Sequence, residues 1–218
     1  MRRKSLFSMG LLILFGFAAY SGDAVAESEQ TRAWKFSVFL DDKRIGEHRF
    51  EVRRDGEVAE VRSEADFDVK FLFVNVYSYE HSNSERWKDG CLQELEASTN
   101  TNGKQLQVRG EKTENGFVVK DGESAASLPE CVMTFAYWNP DFLEQQKLLN
   151  PQTGEYVDVR IEKLDAEPVI VGDREVMAQP YRIDAGKVQV TVYYSMDDQW
   201  LALESPAKGG RLLRYRLT

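Results

Sequence analysis

Histidine and cysteine are scarce in this sequence: two of each among 218 residues. Cys91 and Cys131 are too few for a disulfide-dense scaffold or a cysteine-based zinc site. Their spacing is also not the Cys-x-x-Cys of a redox-active pair. A Ser-His-Asp triad would have to draw on His48 or His81, and no Gly-x-Ser-x-Gly elbow accompanies either. Basic residues are outnumbered 28 to 36, giving a net charge of −8. An acidic surface with no basic, aromatic-studded stripe repels phosphate backbones, which excludes nucleic acid as a partner and disfavours docking on anionic lipid. Past residue 20 no apolar run reaches the roughly 18–20 residues that a membrane-spanning helix needs. No transmembrane segment is therefore expected in the mature chain.

The first residues have their own character. Arg2, Arg3 and Lys4 make a basic start, and Leu6 to Tyr20 is apolar apart from Ser8, Gly10 and Gly16. Ala24-Val25-Ala26 then supplies the small-x-small pattern of a signal-peptidase site. Residues 1–26 read as a cleavable secretory leader, with Ala26 the last residue removed and Glu27 the first kept. No cysteine lies near that point to carry a lipid anchor. Residues 27–218 then form one exported domain. Loss of three basic residues and Asp23 takes its charge from −8 to −10. An even cysteine pair in an oxidising compartment points to a Cys91–Cys131 disulfide, with two buried thiols as the alternative.

Turn signals recur at short intervals: Asp55-Gly56, Asp89-Gly90, Asn102-Gly103, Asn115-Gly116 and Asp121-Gly122. Between them the pattern has a period of two. Trp34, Phe36, Val38 and Leu40 alternate with polar or small residues. Ala59, Val61, Ala65, Phe67, Val69 and Phe71 face Glu60, Arg62, Glu64, Asp66, Asp68 and Lys70. Val157/Val159/Ile161, Val188/Val190/Val192/Tyr194 and Leu213/Tyr215/Leu217 repeat the style. One wet face per strand predicts an all-β, antiparallel up-and-down barrel or strongly curved half-barrel, with a two-sheet sandwich as the alternative. One short helix is expected: Asn139 caps it, Pro140 suits its first turn, Asp141 to Leu149 form it and Asn150-Pro151 ends it.

Several strings are distinctive, among them Tyr77-Ser78-Tyr79-Glu80-His81, Glu85-Arg86-Trp87-Lys88-Asp89-Gly90-Cys91-Leu92 and Thr134-Phe135-Ala136-Tyr137-Trp138-Asn139-Pro140. Leu148 to Gly154, Trp200 to Glu204 and Gly210 to Tyr215 continue the series. Through them the chain resembles an uncharacterised family of exported bacterial proteins, the domain-of-unknown-function family 6134. The resemblance implies a periplasmic location in a Gram-negative cell. It carries no established activity, cofactor or catalytic residue.

The most suggestive stretch is 77–87. As one strand it projects Tyr77, Tyr79, His81, Asn83, Glu85 and Trp87 from a single face. Aromatic walls with a few polar groups suit the inside of a ligand-holding barrel, although an ordinary amphipathic strand has the same pattern. Phe135, Tyr137 and Trp138 read as a plug or lid over that face. The ligand-binding set expected from these patterns is Tyr77, Tyr79, His81, Asn83, Glu85, Tyr137 and Trp138. No metal site is expected. His81 and Glu85 share a face but lie about 13 Å apart along a strand rising about 3.3 Å per residue. Paired carboxylates are too common among 36 acidic residues to single out a catalytic pair, and Asp197-Asp198 reads as a hairpin turn. No catalytic residue and no cofactor is assigned. The leading expectation is binding of an apolar or amphipathic, lipid-like ligand in envelope maintenance. A hydrolase on a cell-envelope substrate and an assembly partner are the competing classes.

The leader generates a direct prediction. N-terminal sequencing of the exported protein should begin at Glu27; a mature chain still starting at Met1 would contradict the secretory reading.

Overall fold

The computed structural model describes residues 29–218 except 72, 73, 123 and 187. The expected leader, with its cleavage point between Ala26 and Glu27, lies outside the described residues. Alternating burial along each segment produces strands rather than helices, because a period of two places every second side chain on the same face. The first eight strands are β1 (Gln30–Leu40), β2 (Lys43–Asp55), β3 (Val58–Phe71), β4 (Val74–Lys88), β5 (Cys91–Thr101), β6 (Lys104–Thr113), β7 (Gly116–Asp121) and β8 (Ser124–Leu128). After a connection come β9 (Lys147–Leu149), β10 (Tyr156–Asp158), β11 (Arg160–Lys163), β12 (Glu167–Val171), β13 (Arg174–Ala185), β14 (Val188–Ser195), β15 (Trp200–Ala207) and β16 (Arg211–Leu217).

Fourteen of these strands make one sheet, and every pairing in it is antiparallel. The first strand pairs with the last, so the order runs β11-β13-β14-β15-β16-β1-β2-β3-β4-β5-β6-β7-β8, with β12 also on β13. The sheet does not close: β8 forms one edge, and β11 and β12 share the other. This is the curved, open member of the expected pair of architectures rather than a sandwich.

Curvature follows from packing. In a flat sheet, β15 and β2 would be about three spacings of 4.8 Å apart, yet the rings of Trp200 and Phe50 approach to 4.9 Å. Trp200 also lies 4.4 Å from Phe36 and 6.3 Å from Trp34. Register shifts at Val38/Phe39, Val69/Lys70, Arg86/Trp87 and Tyr193/Tyr194 insert bulges that bend and twist the strands. Tight turns hold the meander together. Asp89 and Gly90 both have positive φ, as do Asn102 and Gly103, the backbone that a two-residue hairpin loop requires. Asp197 and Asp198 lie in the β14–β15 turn, as their sequence suggests.

The concave face carries the main core, which includes Trp34, Phe36, Val38, Val61, Trp87, Leu95, Val192, Tyr194 and Trp200. The connection after β8 packs into it. Val132, Met133, Ala136, Trp138, Phe142, Leu148 and Leu149 are buried there. The Leu92 N–H donates to the Val132 carbonyl at 3.1 Å, and the Leu149 N–H to that of Met133 at 2.8 Å. The Tyr194 hydroxyl donates to the Tyr137 carbonyl at 2.6 Å. Cys91, at the start of β5, is disulfide-bonded to Cys131, 40 residues on.

The helix expected over Asp141–Leu149 is corrected by this packing. Asn139 does cap, accepting from the Asp141 N–H at 3.2 Å, but only a 3-10 turn forms, over Pro140–Glu144. Lys147–Leu149 is a strand instead, paired with Tyr156–Asp158. Leu148 and Leu149 are adjacent and both fully buried, which an extended segment held between the sheet and the plug satisfies and an exposed helix would not.

The disulfide supplies the prediction for this fold. Closing a loop of this length contributes about 4 kcal/mol in the chain-entropy model. Reduction should lower the melting temperature by roughly 10 °C. Thiol labelling of unfolded, unreduced protein should find neither cysteine free; two labelled thiols would refute the bond.

Candidate functional site

Antiparallel register decides which side chains meet on the concave face. Phe36, His48, Ala65, His81 and Thr99 lie side by side across β1 to β5, and Trp34, Phe50, Ser63, Asn83 and Ala97 form the next row. Val61, Glu85 and Leu95 make the row beyond. A polar stripe therefore crosses an apolar floor. Over it the plug leaves a cavity of about 630 Å³. Val61, Ser63, Phe50 and the two histidines line its sheet side, with Asn83 and Glu85; Thr134 to Trp138 line the plug side. Asn150, Glu155, Tyr156 and Asp158 stand on the β9–β10 side, and Ala185 and Val188 on the β13–β14 side.

Of the residues expected from sequence, His81, Asn83, Glu85, Tyr137 and Trp138 line this one cavity. Tyr77 and Tyr79 share their strand face but do not line it. Tyr79 stacks on Phe67 at 5.2 Å, further along the strand, and both tyrosines are half-buried. His48, Ser63, Phe50 and Thr134 were not expected in the site. A signal for His48 existed, since it shares parity with Phe50 and Val52. The register that joins it to β3 and β4 is not readable from either segment alone.

The polar groups are tightly partnered. The Glu85 carboxylate accepts from the Asn83 amide and from the Trp87 indole N–H, both at 2.9 Å, and from Thr134. Burial pushes Glu85 up from the ordinary carboxylate range, against those hydrogen bonds, which favour the ionised form. One His48 nitrogen lies 3.1 Å from the Ser63 hydroxyl and the other 3.3 Å from that of Tyr215. His81 reaches Thr99 at 2.9 Å. Burial, helped by the neighbouring His81, holds His48 down to about 3. Burial also holds His81 down to about 4, against a hydrogen bond to the Ser98 backbone. Both rings are neutral at physiological pH. Burial pushes the Tyr137 hydroxyl up, so it stays a neutral donor. Among the described residues, no group of His, Cys, Asp and Glu side chains is arranged to hold a metal ion, and no helix is long and apolar enough to cross a membrane.

The sequence matches a family described as Domain of unknown function (DUF6134) over residues 36–218. The chain belongs to that family. The match takes in every strand that lines the cavity and both cysteines. No curated protein matches the chain. Among solved structures it is similar to the crystal structure of a beta-barrel-like protein of domain of unknown function DUF1849 from Brucella abortus. The TM-score is 0.62 at 10% identity, covering 85% of this chain and 94% of that one. At that identity the likeness shows the shared barrel-like fold.

The histidines make stability pH-dependent. The unfolded chain takes up protons below about pH 6.5, whereas the folded rings resist protonation until the pH approaches their lowered values. Their contribution is full above about pH 6.5 and is lost as the pH falls from there toward the lowered folded values. Glu85 acts in the opposite sense, because a raised carboxyl favours the fold less as the pH rises. Denaturant melts between pH 7.5 and pH 5 should lose up to about 1.4 kcal/mol per pH unit for each histidine. A His48→Gln, His81→Gln double variant should lose less stability over that range; equal slopes in the two proteins would reject the assignment.

Proposed function

We propose that this family member is an exported, periplasmic protein that holds an apolar or amphipathic, lipid-like ligand between its curved sheet and the Phe135–Asn139 plug, in maintenance of the cell envelope. The observation that carries the reading is the cavity itself. Its aromatic and aliphatic walls offer contact area, and a small set of polar groups converges on one side to fix orientation. The basic start, apolar run and Ala24-Val25-Ala26 of residues 1–26 support export. The plug is pinned by the disulfide at Cys131 and by the Tyr194 hydroxyl at Tyr137. The pocket is therefore built before any ligand arrives, which reduces the ordering cost of binding.

A second reading, a hydrolase, is favoured by one contact: the Ser63 hydroxyl lies 3.1 Å from a His48 nitrogen whose ring also meets Tyr215. Two facts weigh against it. A histidine held down to about 3 is a poor base for activating a hydroxyl near neutral pH. Ser63 also sits within a strand paired on both sides, where backbone N–H groups are committed to the ladders rather than free to stabilise an oxyanion.

An environment-sensitive apolar dye should bind the folded protein with micromolar affinity. Trp138→Ala should weaken that binding by about 1–3 kcal/mol, with Tyr137→Leu as the milder variant if Trp138→Ala folds poorly. Glu60→Ala, on the outer face of β3, should have no effect. Absence of binding by any amphiphile would end the ligand reading. An esterase activity that disappears with both Ser63→Ala and His48→Gln would establish the second.

A further inference from the structure

The β12–β13 hairpin carries an apolar face that the fold does not cover. Residues directly opposite each other in an antiparallel pair project to the same side. Val169 is opposite Val176 and Val171 opposite Arg174, and the three valines of that side pack on the cluster of Ala178, Tyr193 and Leu201. Pro168 opposite Met177 and Ile170 opposite Glu175 make the other side, and all four are exposed. Ala178 pairs with Ser195, the last residue of β14, so Met177 and Met196 follow that pair at the same end of the ladder. Among the described residues the exposed large apolar side chains are Ile170 (58%), Met177 (52%), Met196 (70%) and Val188. Val188 stands at the rim of the cavity; the other three gather here, and none of them lines the cavity. Exposed apolar groups collected in one place and rimmed by charge mark an interaction surface.

The charge around this face has one sign. Asp173 at the hairpin tip, Glu175 across from Ile170, and Asp197 and Asp198 next to Met196 are exposed, and none is ion-paired among the described residues. The Asp197 carboxylate accepts from the Ser195 hydroxyl at 2.6 Å. The cations nearby are engaged or on the other side. Arg174 belongs by register to the packed side, Arg32 donates to the Gln199 side chain, and Arg216 packs over the Phe39 ring. Lys163, opposite Tyr181, is four positions along β13 from Met177, about 13 Å at about 3.3 Å per residue. We infer that this face docks a partner polypeptide segment with apolar side chains at its centre and lysine or arginine at its flanks. Methionine is flexible and polarisable and adapts to apolar partners of varied shape, while the carboxylates at the rim steer and orient a basic one. A second copy would bring its own four carboxylates against these, and an anionic lipid surface would meet the same repulsion. Pro168 has no N–H to give to an added strand, so contact is made through side chains rather than along the β12 edge. The surface lies outside the cavity, and the inference goes beyond the ligand-holding reading.

The test uses the full mature protein and a labelled peptide with an alternating leucine–serine centre and two lysines at each end. The comparison peptide has glutamates in place of the lysines. Fluorescence anisotropy at pH 7.5 and low salt should show the lysine peptide binding at least tenfold more tightly, with the difference shrinking as salt rises. An Ile170→Ser, Met177→Ser double variant should lose at least tenfold in affinity for it, while its affinity for the apolar dye stays within twofold. Met196→Ser, which changes only a turn residue, gives the same test if the double variant folds poorly. Glu175→Gln with Asp198→Asn should cut the preference for lysine over glutamate at least threefold. Equal affinity for the two peptides would overturn the charge preference. A double variant that keeps full affinity for the lysine peptide would overturn the placement. Binding of neither peptide would overturn the docking role and leave dye binding, and with it the cavity, untouched. Sedimentation showing a dimer that the double variant abolishes would overturn the choice of partner in favour of a second copy.

Discussion

An open sheet that curls must cover its concave face, and everything else in this protein depends on how that is done. The outer faces of β1 to β6 are largely charged or polar, whereas their inner faces carry tryptophan, phenylalanine and valine. A closed barrel would bury such a face against itself. Here the edges do not meet, and a connection of some thirty residues between β8 and β11 is drawn in to fill the space. Its own backbone polar groups must then be satisfied indoors. The bonds from Leu92 to Val132 and from Leu149 to Met133, together with the small β9–β10 hairpin, accomplish that.

The plug does not fill the concave face completely. Where it stands away from β2 to β4, the sheet presents histidine, serine, asparagine and glutamate in place of the aliphatic residues found in neighbouring rows. A core built for stability alone would place apolar side chains there, since polar groups in a low-dielectric setting are stabilising only when fully partnered. Nearly all of these groups are partnered, at the expense of shifted ionisation for Glu85, His48 and His81.

Much of this was legible from residues 77–87. A period of two put His81, Asn83 and Glu85 on one face, and the turn dipeptides bounded the strands on either side. The cysteine count pointed to the bond that anchors the plug. Local pattern could not supply the register between distant strands. His48 comes from β2 and Tyr215 from β16, 167 residues apart in sequence, and only the β16-β1-β2 order brings them within reach. The same limit explains the misread helix. Asn139-Pro140 is a sound start signal, but Leu148-Leu149 answers to a partner strand and a core that are not visible in the local sequence.

The pairing of β1 with β16 has a consequence for how the chain acquires its fold. One side of β1 is satisfied as soon as β2 follows it, but the other waits for β16 to be made. Until then Phe36 and Val38 belong to a half-sheet with an exposed edge, the kind of template to which other nascent chains add. The β1–β16 contact joins strands far apart in sequence, Phe36 with Leu217 at one end and Leu40 with Leu213 at the other, which places folding in the slow, non-local regime. A C-terminal truncation, even one that leaves the cavity-lining strands untouched, would free that edge and favour aggregation over partial function.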